Sequence, residues 1–199
     1  PWVADVNYVA DPPTWCVLLR VPGLWRVLVP KQEGVAEREL LSDASKDAVF
    51  RQLLGPDAPS IETHHRTVYR VHQRVAKSFR EGRVLLIGDA AHLNNPLGGF
   101  GMNSGIHDAW NLSEKLIAIL QDGAAPDPLL DRFDRQRRTI TRRFVQAQTI
   151  ANKEALETSE GTAAREQQLA HLVENDEARR IYLLGQSMIT SLSDELEIA

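Results

Sequence analysis

The sequence predicts an α/β chain of the α+β kind, strands early and helices late, and three observations predict it. Residues 1 to 30 concentrate Val, Trp, Leu and Tyr between turn-forming residues. Val84-Leu85-Leu86-Ile87 is a short apolar run between Gly82 and Gly88, the pattern of a buried strand. From Thr149 onward the chain is polar, alanine-rich and reads as helical.

Each element follows from its residues. Val3–Ala10, Trp15–Arg20 and Leu24–Val29 are expected as strands, separated by Asp11-Pro12-Pro13 and by a tight turn at Pro22-Gly23. Ser45 to Leu54 is expected as a helix with Ala44, Ala48, Val49 and Leu53 on its apolar side, stopped by Gly55-Pro56. Thr63 to Val75 alternates loosely, as a half-buried strand would. The run from Asn103 to Gln121 is expected as a helix whose buried face carries Met102, Ile106, Ala109, Leu112, Leu116 and Leu120. Gly123 and Pro126 end it. Asp127-Pro128 then reads as an N-cap with proline in the first turn of a helix carrying Leu129, Leu130, Phe133, Ile140 and Phe144. No internal repeat and no low-complexity segment stands out.

Bulk properties exclude several classes. With 199 residues, 43% of them hydrophobic, the chain can bury one sizeable core or two small ones. A net charge of −4 supplies no global field toward nucleic acid or an anionic membrane. A lone cysteine, Cys16, excludes an internal disulfide framework and fits a reducing, cytoplasmic setting; it is expected inert and buried between Trp15 and Val17. The apolar runs are too short to span a bilayer. The chain opens with Pro1-Trp2 in the middle of a strand-like run, so a piece of a longer protein is expected.

The stretch that carries chemistry runs from Gly82 to Asn103: strand, Gly88-Asp89 turn, Ala90-Ala91-His92, then Pro96-Leu97-Gly98-Gly99-Phe100-Gly101-Met102-Asn103. Gly88 allows a sharp turn at the strand's end, and Asp89 there presents a carboxylate able to accept hydrogen bonds from a polyol. Gly98, Gly99 and Gly101 remove side chains so that backbone can lie against a flat ligand. The amides at the helix start then offer the positive end of the dipole to an anionic or electron-rich group. A surface turn rich in glycine is the plainer reading, but glycine loses extra entropy on folding, and Gly105 adds a fourth. The dinucleotide fingerprint G-x-G-x-x-G does not fit: Ser104 stands at the third glycine, and a long loop separates strand from glycines.

From Gly82 to Leu116 the sequence resembles the second FAD motif of the class A FAD-dependent aromatic monooxygenases, the para-hydroxybenzoate hydroxylase type. The residues that carry the resemblance are Gly88-Asp89-Ala90-Ala91-His92, Gly98-Gly99-Phe100-Gly101-Met102-Asn103, Gly105, Asp108-Ala109, Asn111-Leu112 and Lys115-Leu116. Leu129-Leu130 to Arg137-Arg138 is similar to the family's following helix, with Phe133 where tyrosine is usual. Asn94-Asn95-Pro96 has one proline where the family often has two. The family's N-terminal G-x-G-x-x-G, and the Asp-Gly motif that it carries ahead of the sheet, are missing here, so the chain resembles the second half of such an enzyme alone.

The resemblance implies a partial FAD-binding Rossmann-like domain (residues 76–125), part of a mixed substrate-domain sheet (1–75) and a helical C-terminus (126–199). It implies that Gly88, Asp89, Gly99, Gly101, Met102 and Asn103 contact FAD, with Asp89 on the ribityl side and the Met102 and Asn103 amides at the pyrimidine edge. It implies that Pro96, Gly98 and Gly99 line the flavin ring where oxygen and substrate meet. The implied reaction uses NADH or NADPH and O2 to hydroxylate a small aromatic or heteroaromatic ring. Epoxidation, halogenation or isoprenoid reduction on the same fold stays open, as does a non-catalytic helical interaction module. A homodimer is compatible with all of these; nucleic acid and membrane are not expected partners.

Other polar residues have plainer readings. His92 is expected to be structural or solvent-facing rather than a base. His64 and His65, adjacent on an expected strand, point to opposite faces and cannot jointly hold a metal. Arg132, Arg135, Arg137, Arg138, Arg142 and Arg143 crowd one helix and are expected on a solvated face beside Asp131 and Asp134. Trp2, Trp15 and Trp25 are expected as core or pocket wall.

Overall fold

Small antiparallel ladders and a long run of helices make up the chain. The structure, a computed structural model, describes residues 4–10 and 15–199. The start of the first expected strand, Trp2 and the Asp11-Pro12-Pro13 turn lie outside the described residues. The chain divides into two compact units, one running to Arg70 and including Glu154–Ala163, the other comprising Val71–Lys153 and Ala164–Ala199.

In the first unit, β1 (Val6–Val9), β2 (Cys16–Val21) and β3 (Leu24–Leu28) form a three-stranded antiparallel meander in that order. The register pairs Asn7 with Leu18 and Leu18 with Val27. Gly23 supplies the positive φ (74°) that the tight β2–β3 turn requires. Cys16 and Val17 are buried, whereas Trp25 is 46% exposed and is not core. Two helices follow, α1 (Glu37–Leu40) and α2 (Asp43–Leu54). Ser42 caps α2 by accepting from the Ser45 amide at 3.1 Å.

The second unit contains two short ladders. β4 (Arg74–Val75) pairs with β7 (His92–Leu93), and β5 (Arg80–Glu81) pairs with β6 (Val84–Leu85). Two expectations are corrected here. The expected strand from Thr63 to Val75 forms only at Arg74–Val75, because residues 63 to 73 meet no ladder partner among the described residues. His64 and His65 therefore sit on irregular, exposed backbone rather than on a strand. The expected buried strand Val84–Ile87 is a two-residue hairpin arm with Val84 64% exposed. A strand buried on both faces needs packed neighbours on each, and the described residues supply a single short partner.

The helices are α3 (Phe100–Leu120), α4 (Pro126–Ile140), a π-helical segment at Thr141–Gln146, α5 (Ala147–Glu157), α6 (Ser159–Glu174), α7 (Asp176–Gln186) and α8 (Ile189–Leu196). The helix expected at Asn103 begins three residues earlier, since Gly99 in left-handed conformation (φ 70°) already closes the loop into the helix. The expected apolar face of α3 holds at Leu112 and Leu116, which join the core, and fails elsewhere. Met102 is 74% exposed, and Ile106 and Leu120 are exposed too, while Phe100, Ser104, Asp108, Asn111 and Leu112 are buried. Polar partners on α4 and α8 turn that side inward, overriding the hydrophobic pattern. The expected Asp127 cap is absent as well: α4 starts at Pro126, and the Asp127 carboxylate pairs with Arg80 instead.

The core of this unit joins Phe79, Ala91, Leu112, Leu130 and Phe133, flanked by Leu85, Leu86 and Leu116. A second cluster packs Phe100, Val145 and Met188, with Phe144 edge-on to Phe100 at 5.9 Å between ring centres. Among the described residues no helix is long and apolar enough to cross a membrane.

Candidate functional site

Two loops meet on the first turns of α3. The first is the Gly88-Asp89-Ala90 turn, a single 3-10 turn that Gly88 enters at φ 56°. It lies so close to α3 that a Cβ on Gly105 would stand 3.2 Å from the Gly88 Cα. Two glycines facing each other are what let turn and helix approach. The turn is fixed by polar bonds too: the Gly88 amide donates to Asp108 Oδ2 at 2.9 Å. Asp89 itself is exposed, its carboxylate offered outward.

The second loop, Leu93 to Gly99, is pinned from behind. Asn95 is buried; its amide hydrogen goes to Gln73 Oε1 at 3.0 Å and its Nδ2 to the Thr149 carbonyl at 2.9 Å. The Asn95 Oδ1 accepts from the Leu97 amide at 3.1 Å. Gln146 Nε2 donates to the Leu93 carbonyl at 3.0 Å and Asn152 Nδ2 to the Leu97 carbonyl at 3.3 Å. Gln146 is the last residue of the π-helical segment, and such segments often occur at functional sites. With its inner side held, the loop exposes Pro96, Gly98 and Gly99. Gly98 (φ 97°) leaves no room for a side chain, because a Cβ would meet the Phe100 ring at 2.4 Å.

No side chain caps the N-terminus of α3. The first amides of the helix lack intrahelical acceptors and point toward the loop, so they form an anion-favouring end. Gly101 sits in that first turn, half-buried, with its Cβ position 3.4 Å from Asn94 Oδ1. The side chain of Asn103 folds back to donate to the Gly99 carbonyl at 2.9 Å, tying the first turn of the helix to the loop. A small cleft of about 180 Å³ beside Gly98 is lined by Phe100, Asn103, His107, Gln186, Ser187 and Met188.

Behind these loops lies a buried polar cluster that sequence reasoning missed. Asp108 and Arg137 are both 0% exposed, and Arg137 Nε donates to Asp108 Oδ1 at 2.7 Å. His92 Nε2 lies 2.9 Å from Asp108 Oδ2. Arg137 Nη1 pairs with the Glu195 carboxylate, which also accepts from Asn111 Nδ2. Burial alone would raise the Asp108 carboxyl, but the His92 hydrogen bond and the Arg137 charge hold it below its ordinary value. Burial pushes the His107 imidazole and the Lys115 ammonium down.

This cluster corrects the expectation for the arginine-rich helix. Arg137 faces the interior, while Arg138 forms an i,i+4 pair with Asp134 at 2.9 Å and Arg142 and Arg143 are exposed. A legible signal did exist: Ser104, Asp108, Asn111 and Lys115 step by four, three and four, placing one polar stripe along α3. His92 is buried, stacked near Phe79 at 6.0 Å between ring centres, in keeping with its structural reading. Among the described residues no group of three or more His, Cys, Asp or Glu side chains is placed to hold a metal.

Comparison with known proteins places this geometry in a family. The profile of the FAD binding domain family matches residues 21–148. The chain is 39% identical over 151 residues to para-nitrophenol 4-monooxygenase from Pseudomonas sp. (strain WBC-3), covering 73% of the chain and 36% of that protein. It is 44% identical over 123 residues to 6-hydroxy-3-succinoylpyridine 3-monooxygenase from Pseudomonas putida (strain DSM 28022 / S16), covering 62% of the chain and 30% of that protein. It thus spans about a third of these curated relatives' length. Among solved structures, p-nitrophenol 4-monooxygenase from Pseudomonas putida DLL-E4 superposes with a TM-score of 0.70 at 32% identity, covering 98% of this chain and 48% of that one. Aklavinone-11 hydroxylase, solved with FAD and aklavinone, gives a TM-score of 0.64 at 26% identity over 75% of this chain and 28% of that one. The chain belongs to the FAD binding domain family, in the group whose relatives are FAD-dependent aromatic monooxygenases.

Proposed function

We propose that this chain is the flavin-facing C-terminal part of an FAD-dependent monooxygenase that uses NADH or NADPH and O2 to hydroxylate an aromatic or heteroaromatic ring. The observation that carries the reading is the pairing of an outward Asp89 with an exposed glycine pair, Gly98-Gly99, at the uncapped start of α3, both held from behind. The residues present fit the cofactor. Gly99 is exposed backbone with open space at its Cβ position, and the helix start is open to a group that gains negative charge.

In this reading Asp89 accepts hydrogen bonds from the ribityl side of FAD. Gly88, Gly99, Gly101, Met102 and Asn103 present backbone to it, and Pro96, Gly98 and Gly99 line the face where oxygen and substrate meet it. Bound there, FAD supplies the redox and oxygen chemistry; the protein supplies position, electrostatics and exclusion of water. Residues 1–75 belong to the substrate-binding sheet, 76–125 to the second flavin-binding segment and 126–199 to the C-terminal helices.

The relatives' names, which describe a nitrophenol and a hydroxypyridine, support a phenol-like substrate class for this reading. Hydroxylated six-membered rings are therefore the first compounds to test. The full-length protein should purify yellow, and such rings should stimulate its NAD(P)H oxidation with ring hydroxylation. A colourless protein that fails to take up FAD would reject the flavin reading. Flavin-replete protein that converts no phenol-like ring would move the reaction to another chemistry of the same fold.

A further inference from the structure

We propose that Glu195, on the last helix, is a positioning residue for the flavin-binding turn and acts on it through Arg137 and Asp108. The inference rests on the reading that Asp89 binds FAD. The connection is a continuous run of directional bonds. Glu195 accepts from Arg137 Nη1; Arg137 Nε donates to Asp108 Oδ1 at 2.7 Å; Asp108 Oδ2 accepts the Gly88 amide at 2.9 Å. Gly88 is the residue before Asp89. The side chains of Asp108 and Arg137 are fully buried, and that of Glu195 is 7% exposed.

The choice of groups argues for geometry over adhesion. A buried ion pair adds little net stability over packed hydrocarbon, because two charges must leave water. Hydrocarbon could hold α8 on the bundle equally well, yet it would not fix the azimuth of a guanidinium. Arg137 binds both carboxylates, and its Nη2 also lies 3.3 Å from the Ser104 carbonyl. Losing Glu195 removes one of the two anions that set the plane of the fork. Asp108 would keep its charge and its His92 contact, but the oxygen that holds the Gly88 amide would lose the alignment that a fixed Arg137 gives it. The start of α8 reaches the other loop as well, since Met188 packs on Phe100 beside the glycines. A helix outside the flavin motif thus braces both of its halves.

A double-variant cycle in the full-length protein tests this. Glu195→Gln should raise the FAD dissociation constant about tenfold, the size expected for one charge-assisted hydrogen bond. Glu195→Gln combined with Asp89→Asn should bind FAD no more weakly than Asp89→Asn alone, because both act at one contact. Losses that simply add, or an unchanged constant for Glu195→Gln, overturn the proposal. Hydrogen exchange of the Gly88 amide in the FAD-free protein gives a readout independent of cofactor, and Glu195→Gln should accelerate it. Faster exchange with unaltered FAD affinity overturns the flavin role of Glu195 while keeping its hold on the turn. Asp89→Asn at wild-type FAD affinity instead overturns the underlying reading of Asp89. If Glu195→Gln fails to fold, Glu195→Asp keeps the charge, shortens its reach, and is read in the same cycle.

Discussion

Gly105→Ala tests whether the approach of α3 to the Gly88 turn is as tight as the geometry says. In a helix interior, alanine is favoured over glycine by about 1 kcal/mol. Here the added Cβ would stand 3.2 Å from the Gly88 Cα, inside ordinary contact. The turn has little freedom to give way, since the Gly88 amide is held by Asp108 and its carbonyl accepts from Ala91 at 2.9 Å. Overpacking of a fixed site costs roughly 1–3 kcal/mol, so the helical gain is cancelled or exceeded. Gly185→Ala on α7 is the internal control, because nothing lies within 4 Å of its Cβ position. The same change there should stabilise by roughly 0.5–1 kcal/mol, raising the melting temperature by about 1–4 °C. Urea or thermal unfolding reads both variants, and FAD titration of the full-length protein should show weaker binding for Gly105→Ala alone. If Gly105→Ala is as stabilising as Gly185→Ala and leaves FAD affinity intact, the turn is not wedged against the helix.

Three further outcomes are expected. Arg137→Met leaves Asp108 and Glu195 buried without their shared cation and should cost about 3–5 kcal/mol in urea unfolding; a loss under about 1 kcal/mol would mean the pair is solvated in practice. Stability should fall with acid in two stages. Burial lowers the His107 pKa, so the unfolded chain takes up that proton first and stability drops as pH falls below about 6.5; His107→Gln should flatten this stage in unfolding measured from pH 7 to 5. Asp108 and Asp134 are held below the ordinary carboxylate value, so their contribution is complete above about 3.9 and is lost as pH falls through the lower folded values.

How far the sequence can be read depends on which residues carry local instructions. The meander was legible because Pro22-Gly23 and the flanking Val and Leu specify a hairpin without distant help. The start of α3 was misplaced by three residues, since a glycine in left-handed conformation as the helix cap gives no side-chain signal. The inward face of α3 was misread for a deeper reason. Hydrophobic periodicity assigns Met102, Ile106 and Leu120 to the core, but the interior on that side is built from charges whose partners lie far along the chain. Asp108 meets Arg137 and Arg137 meets Glu195 only once α4 and α8 are folded, and no local window contains all three.

The family motif accordingly separates into two sets with opposite destinations. Asp89, Pro96, Gly98 and Gly99 are exposed, and their chemistry is available to a ligand. Ser104, Asp108 and Asn111 are buried, and their bonds run to other parts of the protein. A pattern search weights both sets alike, because both are polar or small residues at fixed spacing. Physically they differ in what a substitution does. On the proposed function, changing the outward Asp89 carboxylate removes a contact to FAD and leaves the fold in place. Changing an inward one leaves a buried charge or amide unpaired, so stability and site geometry fall together. Asp89→Ala should therefore separate cofactor affinity from stability, lowering FAD affinity by roughly 1.5–3 kcal/mol at an unchanged melting temperature of the FAD-free protein. Asp108→Asn should lower both. Equal melting losses for the two variants would mean that Asp89 is a fold residue, and the outward set would then have to be redrawn without it.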